Sequence, residues 1–136
     1  MSKMGATGKQ IAPLPRMGEG KRGRVAHSHI RANGIEFDSK AEHDRYLELL
    51  CMEQAGHISG LCCHPEFQIL PPQTIPGRPG FRGARYTADF AYTDRAGQRH
   101  VEDVKSAYTR QDPAYVLRRK LMYLMNGIYV EEVLRG

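Results

Sequence analysis

The chain of 136 residues is long enough for one domain around a single modest core and too short for two catalytic domains, so any chemistry has to come from one site per chain. Its 40% hydrophobic and 26% charged residues are ordinary soluble composition, and no apolar run approaches the ~18 residues that a membrane-spanning helix requires. The formal net charge of +5 points to an anionic partner, and it is concentrated: residues 1–31 carry seven Lys/Arg against one acid, the remainder 13 against 14.

Residues 1–23 are rich in Gly, Pro and basic side chains and lack apolar periodicity, so they are expected to form a disordered basic tail ahead of a domain at 24–136. The tail has no apolar stretch of the secretory kind. Cys51, Cys62 and Cys63 are an odd number with two adjacent, which implies no disulfide framework and fits a reduced, cytoplasmic chain.

Segments 25–30 and 35–37 flank Asn33-Gly34, a dipeptide that tolerates the positive φ of a tight turn, and predict a small hairpin. Ser39 with Glu42 three residues on is a capping-box pattern that opens a helix running to a stop at Gly56. At about 100° per residue, Tyr46, Leu47, Leu49, Leu50 and Cys51 form its apolar arc, with Asp44, Arg45 and Glu48 opposite and Glu42 at the edge, aimed toward the body of the domain.

A Cys/His/Pro turn leads to a short strand at 67–70. A loop at 71–83 with four prolines and three glycines follows, with Arg78, Arg82 and Arg85 in or beside it. Two stronger strands, 85–92 and 98–105, are joined by a turn whose Asp94 and Gly97 suit a hairpin. The second helix opens with Asp112 as N-cap and Pro113 at the first helical position and closes at Asn126-Gly127. Ala114, Leu117, Leu121 and Leu124 are expected to face the core, with Arg118, Arg119 and Lys120 over the flanks and back, before a last strand at 128–133. The order α-β-β-β-α-β after a hairpin predicts an α/β domain with a mixed central sheet flanked by helices.

Side chains alternate along a strand, so Asp103 and Lys105 project from one side while Glu102 and Val104 take the other, where Glu102 is a solvated or paired acid. Asp89 lies on the partner strand, within reach of Asp103 in a suitable register. Two such carboxylates can hold a Mg2+ through oxygen ligands and leave positions for water and a substrate phosphate. A divalent cation stabilises the charge that builds during attack on a phosphodiester, and a neighbouring lysine can orient or help deprotonate the water. Asp/Glu-x-Lys is a weak motif alone, since Glu19-Gly20-Lys21 and Asp38-Ser39-Lys40 also match. Only Asp103-Val104-Lys105 sits on a strand with an Asp on the strand before it and an acidic helix residue upstream.

Gly34-Ile35-Glu36-Phe37-Asp38-Ser39-Lys40-Ala41-Glu42, Tyr86-Thr87-Ala88-Asp89-Phe90 and Val101-Glu102-Asp103-Val104-Lys105 together resemble the PD-(D/E)XK nuclease superfamily, specifically its small phage-encoded, Holliday-junction-resolvase-like members. The resemblance covers roughly residues 34–133. It implies a restriction-endonuclease-like core and metal-dependent DNA cleavage, with Glu42, Asp89, Asp103 and Lys105 as catalytic residues. Glu42, Asp89 and Asp103 would be the ligands of Mg2+, with Mn2+ as an alternative ion. Ala88 stands where the motif has proline, and Ser106 where glycine follows the lysine.

Each residue also has a plainer role open to it. Glu42 can serve only as the reciprocal cap of Ser39, and Arg118, Arg119 and Lys120 can be a solvated helix face instead of a phosphate-contacting ridge. The expected DNA contacts are Lys21, Arg22, Arg78, Arg82, Arg118, Arg119 and Lys120, with the basic tail gathering DNA. His57, Cys62, Cys63 and His64 lack the CxxC pair and spacing of a zinc finger and read as buried thiols and a turn histidine. His27 and His29 read as surface residues. The expected partners are DNA and a second copy of the chain, since cutting two strands with one site per subunit favours a homodimer, and no membrane. No recognition helix or target-recognition insert is evident, which favours a branched or junction substrate over a transposon-end or restriction-type site. A non-catalytic DNA-binding module is the competing class.

Overall fold

The computed structural model describes residues 30–135. The expected tail and domain start, His27, His29, Lys21, Arg22 and most of segment 25–30 lie outside the described residues. The chain is mixed α/β, and among the described residues no helix is long and apolar enough to cross a membrane.

The structure opens with β1 (Ile30–Ala32) and β2 (Ile35–Phe37), an antiparallel pair turned at Asn33 and Gly34, whose φ values of 54° and 79° are what the Asn-Gly dipeptide accommodates. Helix α1 (Lys40–Gln54) starts as expected: extended Ser39 accepts a hydrogen bond on Oγ from Glu42 N at 3.1 Å. Its inner face differs from the expected arc. Glu42, Tyr46 and Leu49 are buried, while Leu47 and Cys51 are exposed. Arg45, expected outside, turns inward to make a two-pronged ion pair with Glu102, Nε to Oε1 at 2.9 Å and Nη2 to Oε2 at 2.7 Å. A buried acid on the sheet thus decides which side of the helix faces in.

The segment taken for a turn contains β3 (Ile58–Cys63), which is followed by β4 (Glu66–Leu70). The Pro/Gly loop is not irregular either. It forms the hairpin β5 (Gln73–Ile75) and β6 (Arg78–Phe81), in which a Cβ at Gly80 would collide with the Gln73 carbonyl. The expected strand 85–92 is two strands, β7 (Ala84–Thr87) and β8 (Phe90–Asp94). These pair with β4 and β3 respectively, so β3-β4 and β7-β8 form a two-stranded ribbon bent at His64-Pro65 and Ala88-Asp89. Across the bend the ribbon stays joined, His64 N donating to Asp89 O at 2.9 Å and Ala88 N to Pro65 O at 3.0 Å. Pro65 has no N–H to donate, and His64 takes a left-handed φ of 56°, both of which interrupt regular pairing.

After β9 (Arg99–Lys105) and a short 3-10 turn (Thr109–Gln111) come α2 (Pro113–Asn126) and β10 (Val130–Leu134). The central sheet runs β10-β9-β8-β3, parallel between β10 and β9 and antiparallel elsewhere. One side packs Ala91, Val101 and Val130 with Tyr115 and Met122 of α2, and the other packs Phe90 and Tyr92 with Phe37, Tyr46 and Leu49.

The caps of α2 are those expected: Asp112 accepts from Tyr115 N at 3.0 Å, Pro113 follows, and Gly127 is left-handed at φ 69°. Its core face is not. Tyr115 and Met122 are buried and Leu121 packs partly against them, whereas Ala114, Leu117 and Leu124 are exposed, Leu124 at 74%. The helix is apolar around much of its circumference, so hydrophobicity alone left its rotation open. Polar partners on β10 accompany the observed setting: Tyr115 donates to Glu132 Oε2 at 2.7 Å and Arg119 donates to Val130 O.

Candidate active site

The bend of the ribbon, the first turn of α1 and the C-terminal end of β9 converge on a cleft of about 490 Å3. It is lined by Glu42, Asp89, Asp103 and Lys105 together with Asp38, Arg85, Tyr86, Thr87, Val104, Tyr115 and Arg118. The four side chains singled out from the sequence therefore share one cavity. Three are acids buried to within a few per cent of exposure, Glu42 at 7%, Asp89 at 6% and Asp103 at 4%. Carboxylates are rarely buried without compensation, because burial disfavours the charged form.

The alternation argument holds along β9. Asp103 and Lys105 open on the cleft, while Glu102 is buried beneath α1, where Arg45 and the Tyr92 hydroxyl bind it. Asp89 and Asp103 are tied to the backbone and to each other's strands. Asp103 Oδ1 accepts from Asp89 N at 2.9 Å, Asp103 Oδ2 accepts from the Tyr86 hydroxyl, and Asp89 Oδ2 accepts from Val104 N at 2.8 Å. Burial, reinforced by Asp103, pushes the Tyr86 phenol far above its ordinary range, so Tyr86 is a permanent donor. Lys105 Nζ lies over the Tyr115 ring, 4.1 Å from its centre, a cation–π contact that holds the ammonium at the cleft edge.

Among the described residues, the group of potential metal-ligating atoms that the structure brings together differs from the expected set. Ligand atoms of Glu42, Asp89 and His64 all lie within 4.8 Å of one another, and His64 Nε2 is 3.6 Å from Glu42 Oε1. His64 was expected as a turn histidine. It does occupy a bend, but a buried one, at 4% exposure. Its sequence signal was a His-Pro pair between two apolar segments, which becomes meaningful only once β3 is seen as a strand. Cys63 beside it is buried, and burial, with contributions from Cys62, Asp89 and Glu42, pushes its thiol up to about 12, so it stays a protonated thiol at neutral pH.

The basic residues separate. Arg118 lines the cleft, as does Arg85, which the sequence did not single out as a contact. Arg119 instead donates twice to Val130 O and sits over the Tyr129 ring, so it serves the α2–β10 packing. Lys120 lines a larger concavity of about 600 Å3 with Arg110, Tyr123 and Tyr129, whose acid Glu132 is held by Arg110 and Tyr115. Arg78 and Arg82 are exposed on and beside the β5-β6 hairpin, outside the cleft lining. Ser106, in the place of the expected glycine, exchanges hydrogen bonds with Thr109, its backbone N–H donating to Thr109 Oγ1 at 2.8 Å and Thr109 N donating to Ser106 Oγ at 3.0 Å. That closes the turn after Lys105.

The family described as "Protein of unknown function (DUF1064)" matches residues 22–132. No curated protein and no solved structure matches the chain.

Proposed function

The chain belongs to the DUF1064 family, and we propose that it is a divalent-metal-dependent DNA endonuclease of restriction-endonuclease-like fold. The observation that carries this reading is the convergence of three buried acids and a lysine on one cleft whose rim is basic. A module that only bound DNA would present cations to phosphate, and burying carboxylates at the contact would oppose it. A metal-dependent nuclease needs carboxylates of this kind to hold its ion.

The donor set fits such an ion: Glu42 and Asp89 offer hard oxygen atoms in reach of one another, and Asp103 stands beside them. When bound, the cation supplies positive charge to a phosphate oxygen and acidifies a water. Asp103 also fixes Asp89 through its amide, so it supports the neighbouring ligand as well as offering one. Lys105, its ammonium poised on Tyr115, donates to the attacking water and orients it. Arg85 and Arg118 at the rim receive the flanking phosphates.

The substrate is proposed to be branched or junction DNA processed for a phage, cut by two copies of the chain in the host cytoplasm. The test presents purified protein with four-way junction, flap, duplex and single-stranded DNA, with Mg2+, with Mn2+ and with EDTA. Metal-dependent cleavage with a preference for junction or flap is expected. DNA binding without cleavage under any metal would transfer the chain to the non-catalytic class, and equal cutting of plain duplex would remove the structural preference.

A further inference from the structure

Beyond the carboxylates, we propose that His64 is a metal ligand and that Glu42, His64 and Asp89 form a mixed nitrogen–oxygen centre, suited to Mn2+ and related transition ions more than to Mg2+. This deepens the reading of the cleft as a metal site and rests on it.

Three elements distant in sequence deliver the three side chains. Glu42 comes from the first turn of α1, His64 from the β3-β4 bend and Asp89 from the β7-β8 bend. All three are buried, and their ligand atoms lie within 4.8 Å of one another. Two donors that each sit about 2.1 Å from one ion are separated by roughly 3 to 4 Å, and the 3.6 Å between His64 Nε2 and Glu42 Oε1 falls in that span. The same distance is longer than a hydrogen bond between those two atoms.

The scaffold fixes each partner independently. His64 N donates to Asp89 O at 2.9 Å, which locks the two bends in register, and Asp89 is held at both ends, its amide by Asp103 and its Oδ2 by Val104 N. Ser39 Oγ holds the backbone of Glu42. Phe37 packs against the His64 ring with centroids 5.9 Å apart, which sets the plane of the imidazole. Mg2+ strongly prefers oxygen and retains water, whereas imidazole nitrogen suits first-row ions such as Fe, Ni, Cu and Zn. A preorganised imidazole beside two carboxylates therefore shifts the preference from Mg2+ toward transition ions, among which Mn2+ is the one that the two carboxylates also suit.

The probe is Mn2+ added in less than stoichiometric amount to the full chain after EDTA treatment, read by electron spin-echo modulation. Nitrogen-14 coupling from a bound imidazole is expected in the parent and absent in His64→Asn. Asparagine is the variant of choice because His64 has a left-handed φ of 56°, which Asn tolerates, and circular dichroism with a thermal melt confirms that the variant folds. Titration by conventional Mn2+ resonance should show affinity falling about 10-fold or more in the variant, with Mg2+ affinity nearly unchanged. Absence of nitrogen coupling in the parent, coupling that survives in the variant, or no Mn2+ binding at all would each overturn the assignment. The nuclease reading is judged separately by the DNA panel. Cleavage by a protein whose Mn2+ shows no nitrogen coupling removes His64 and leaves that reading standing. Coupling in a protein that cuts nothing supports the metal centre and removes the nuclease.

Discussion

Asp103 has two jobs that different substitutions separate. Its carboxylate accepts from Asp89 N and from the Tyr86 hydroxyl in a buried setting, so Asp103→Ala strands two donors at a cost of about 1–3 kcal/mol each, read as a lower urea midpoint. Asp103→Asn keeps the shape and one acceptor, and its amide can donate to a rotated Tyr86 hydroxyl, so it should fold like the parent. Both variants, and Asp89→Asn, should lose ~10^3-fold or more in cleavage, about 4 kcal/mol of barrier. A folded Asp103→Asn or Asp89→Asn protein cutting within ~10-fold of the parent would show that the acid does not hold the metal. At the same scale Lys105→Ala should keep metal-dependent DNA binding and lose turnover, because the carboxylates remain and only the water-handling ammonium is gone. Unchanged turnover at saturating metal, with weaker metal affinity, would instead mark Lys105 as part of the packing on Tyr115. The shared face of Asp103 and Lys105 was legible in the sequence because alternation along one strand dictates it, whereas Asp89, expected on the partner strand, reaches the cleft from the bend between β7 and β8. His64 was not, because its place beside Glu42 and Asp89 depends on a bend between two strands, one of which was read as a turn.

At the scale of elements, the strands of the central sheet are clamped by a histidine that links three of them. His100 on β9 has Nε2 at 2.8 Å from Asp94 of β8 and Nδ1 at 2.8 Å from Glu131 of β10, and it stacks on Tyr92. Burial pulls its pKa down, but the hydrogen bonds and charges of the two carboxylates outweigh that and raise it above the ordinary value. With the folded pKa above the unfolded one, the clamp's stabilisation is complete below pH ~6.5 and is lost as pH rises through the raised folded value. The melting temperature should therefore fall as pH rises from about 6 to 8, and His100→Gln should flatten that fall. An identical slope in the variant would sink the clamp. Helix α2 supplies a second test: Leu124→Gln should change stability by no more than about 0.5 kcal/mol, while Met122→Ala should cost about 2–5 kcal/mol. The reverse ranking would restore the face read from the leucine spacing. Caps and tight turns were legible because they are local: Ser39 and Asp112 cap through their own side-chain oxygens, and Asn33-Gly34 and Gly127 act through their own backbone. The rotation of each helix was not, because it follows from Glu102 drawing Arg45 inward and from β10 engaging Tyr115 and Arg119. The split of 85–92 into two strands was hidden for a related reason: Ala88-Asp89 bends only against its partner His64-Pro65.

For the whole molecule, the charge distribution assigns different work to the two ends of the sequence. The basic excess belongs to residues 1–31, whereas the rest of the chain is nearly balanced, and its cleft adds buried acids that oppose a polyanion until a cation is bound. On the proposed function, attraction of DNA would come largely from the N-terminal cations, with Arg85 and Arg118, which line the cleft, acting at short range. Residues 1–23 hold Lys3, Lys9, Arg16, Lys21 and Arg22. Each phosphate they neutralise releases counterions and steepens the dependence of log affinity on log salt by ~0.9 on B-DNA. Removing residues 1–23 should thus weaken binding and flatten that slope by roughly 2 to 3 if two or three contacts are lost, irrespective of DNA sequence. Turnover at saturating DNA should be unchanged, since Glu42, Asp89, Asp103 and Lys105, the proposed catalytic residues, all lie outside the removed segment. Fluorescence anisotropy at several salt concentrations, on the full chain and the truncated one, measures the slope directly. An unchanged slope would exclude the N-terminal cations as DNA contacts and shift the electrostatic role to Arg78, Arg82, Arg85, Arg118 and Lys120. A flattened slope accompanied by lost turnover would mean that the same residues also position the substrate over Asp89 and Asp103.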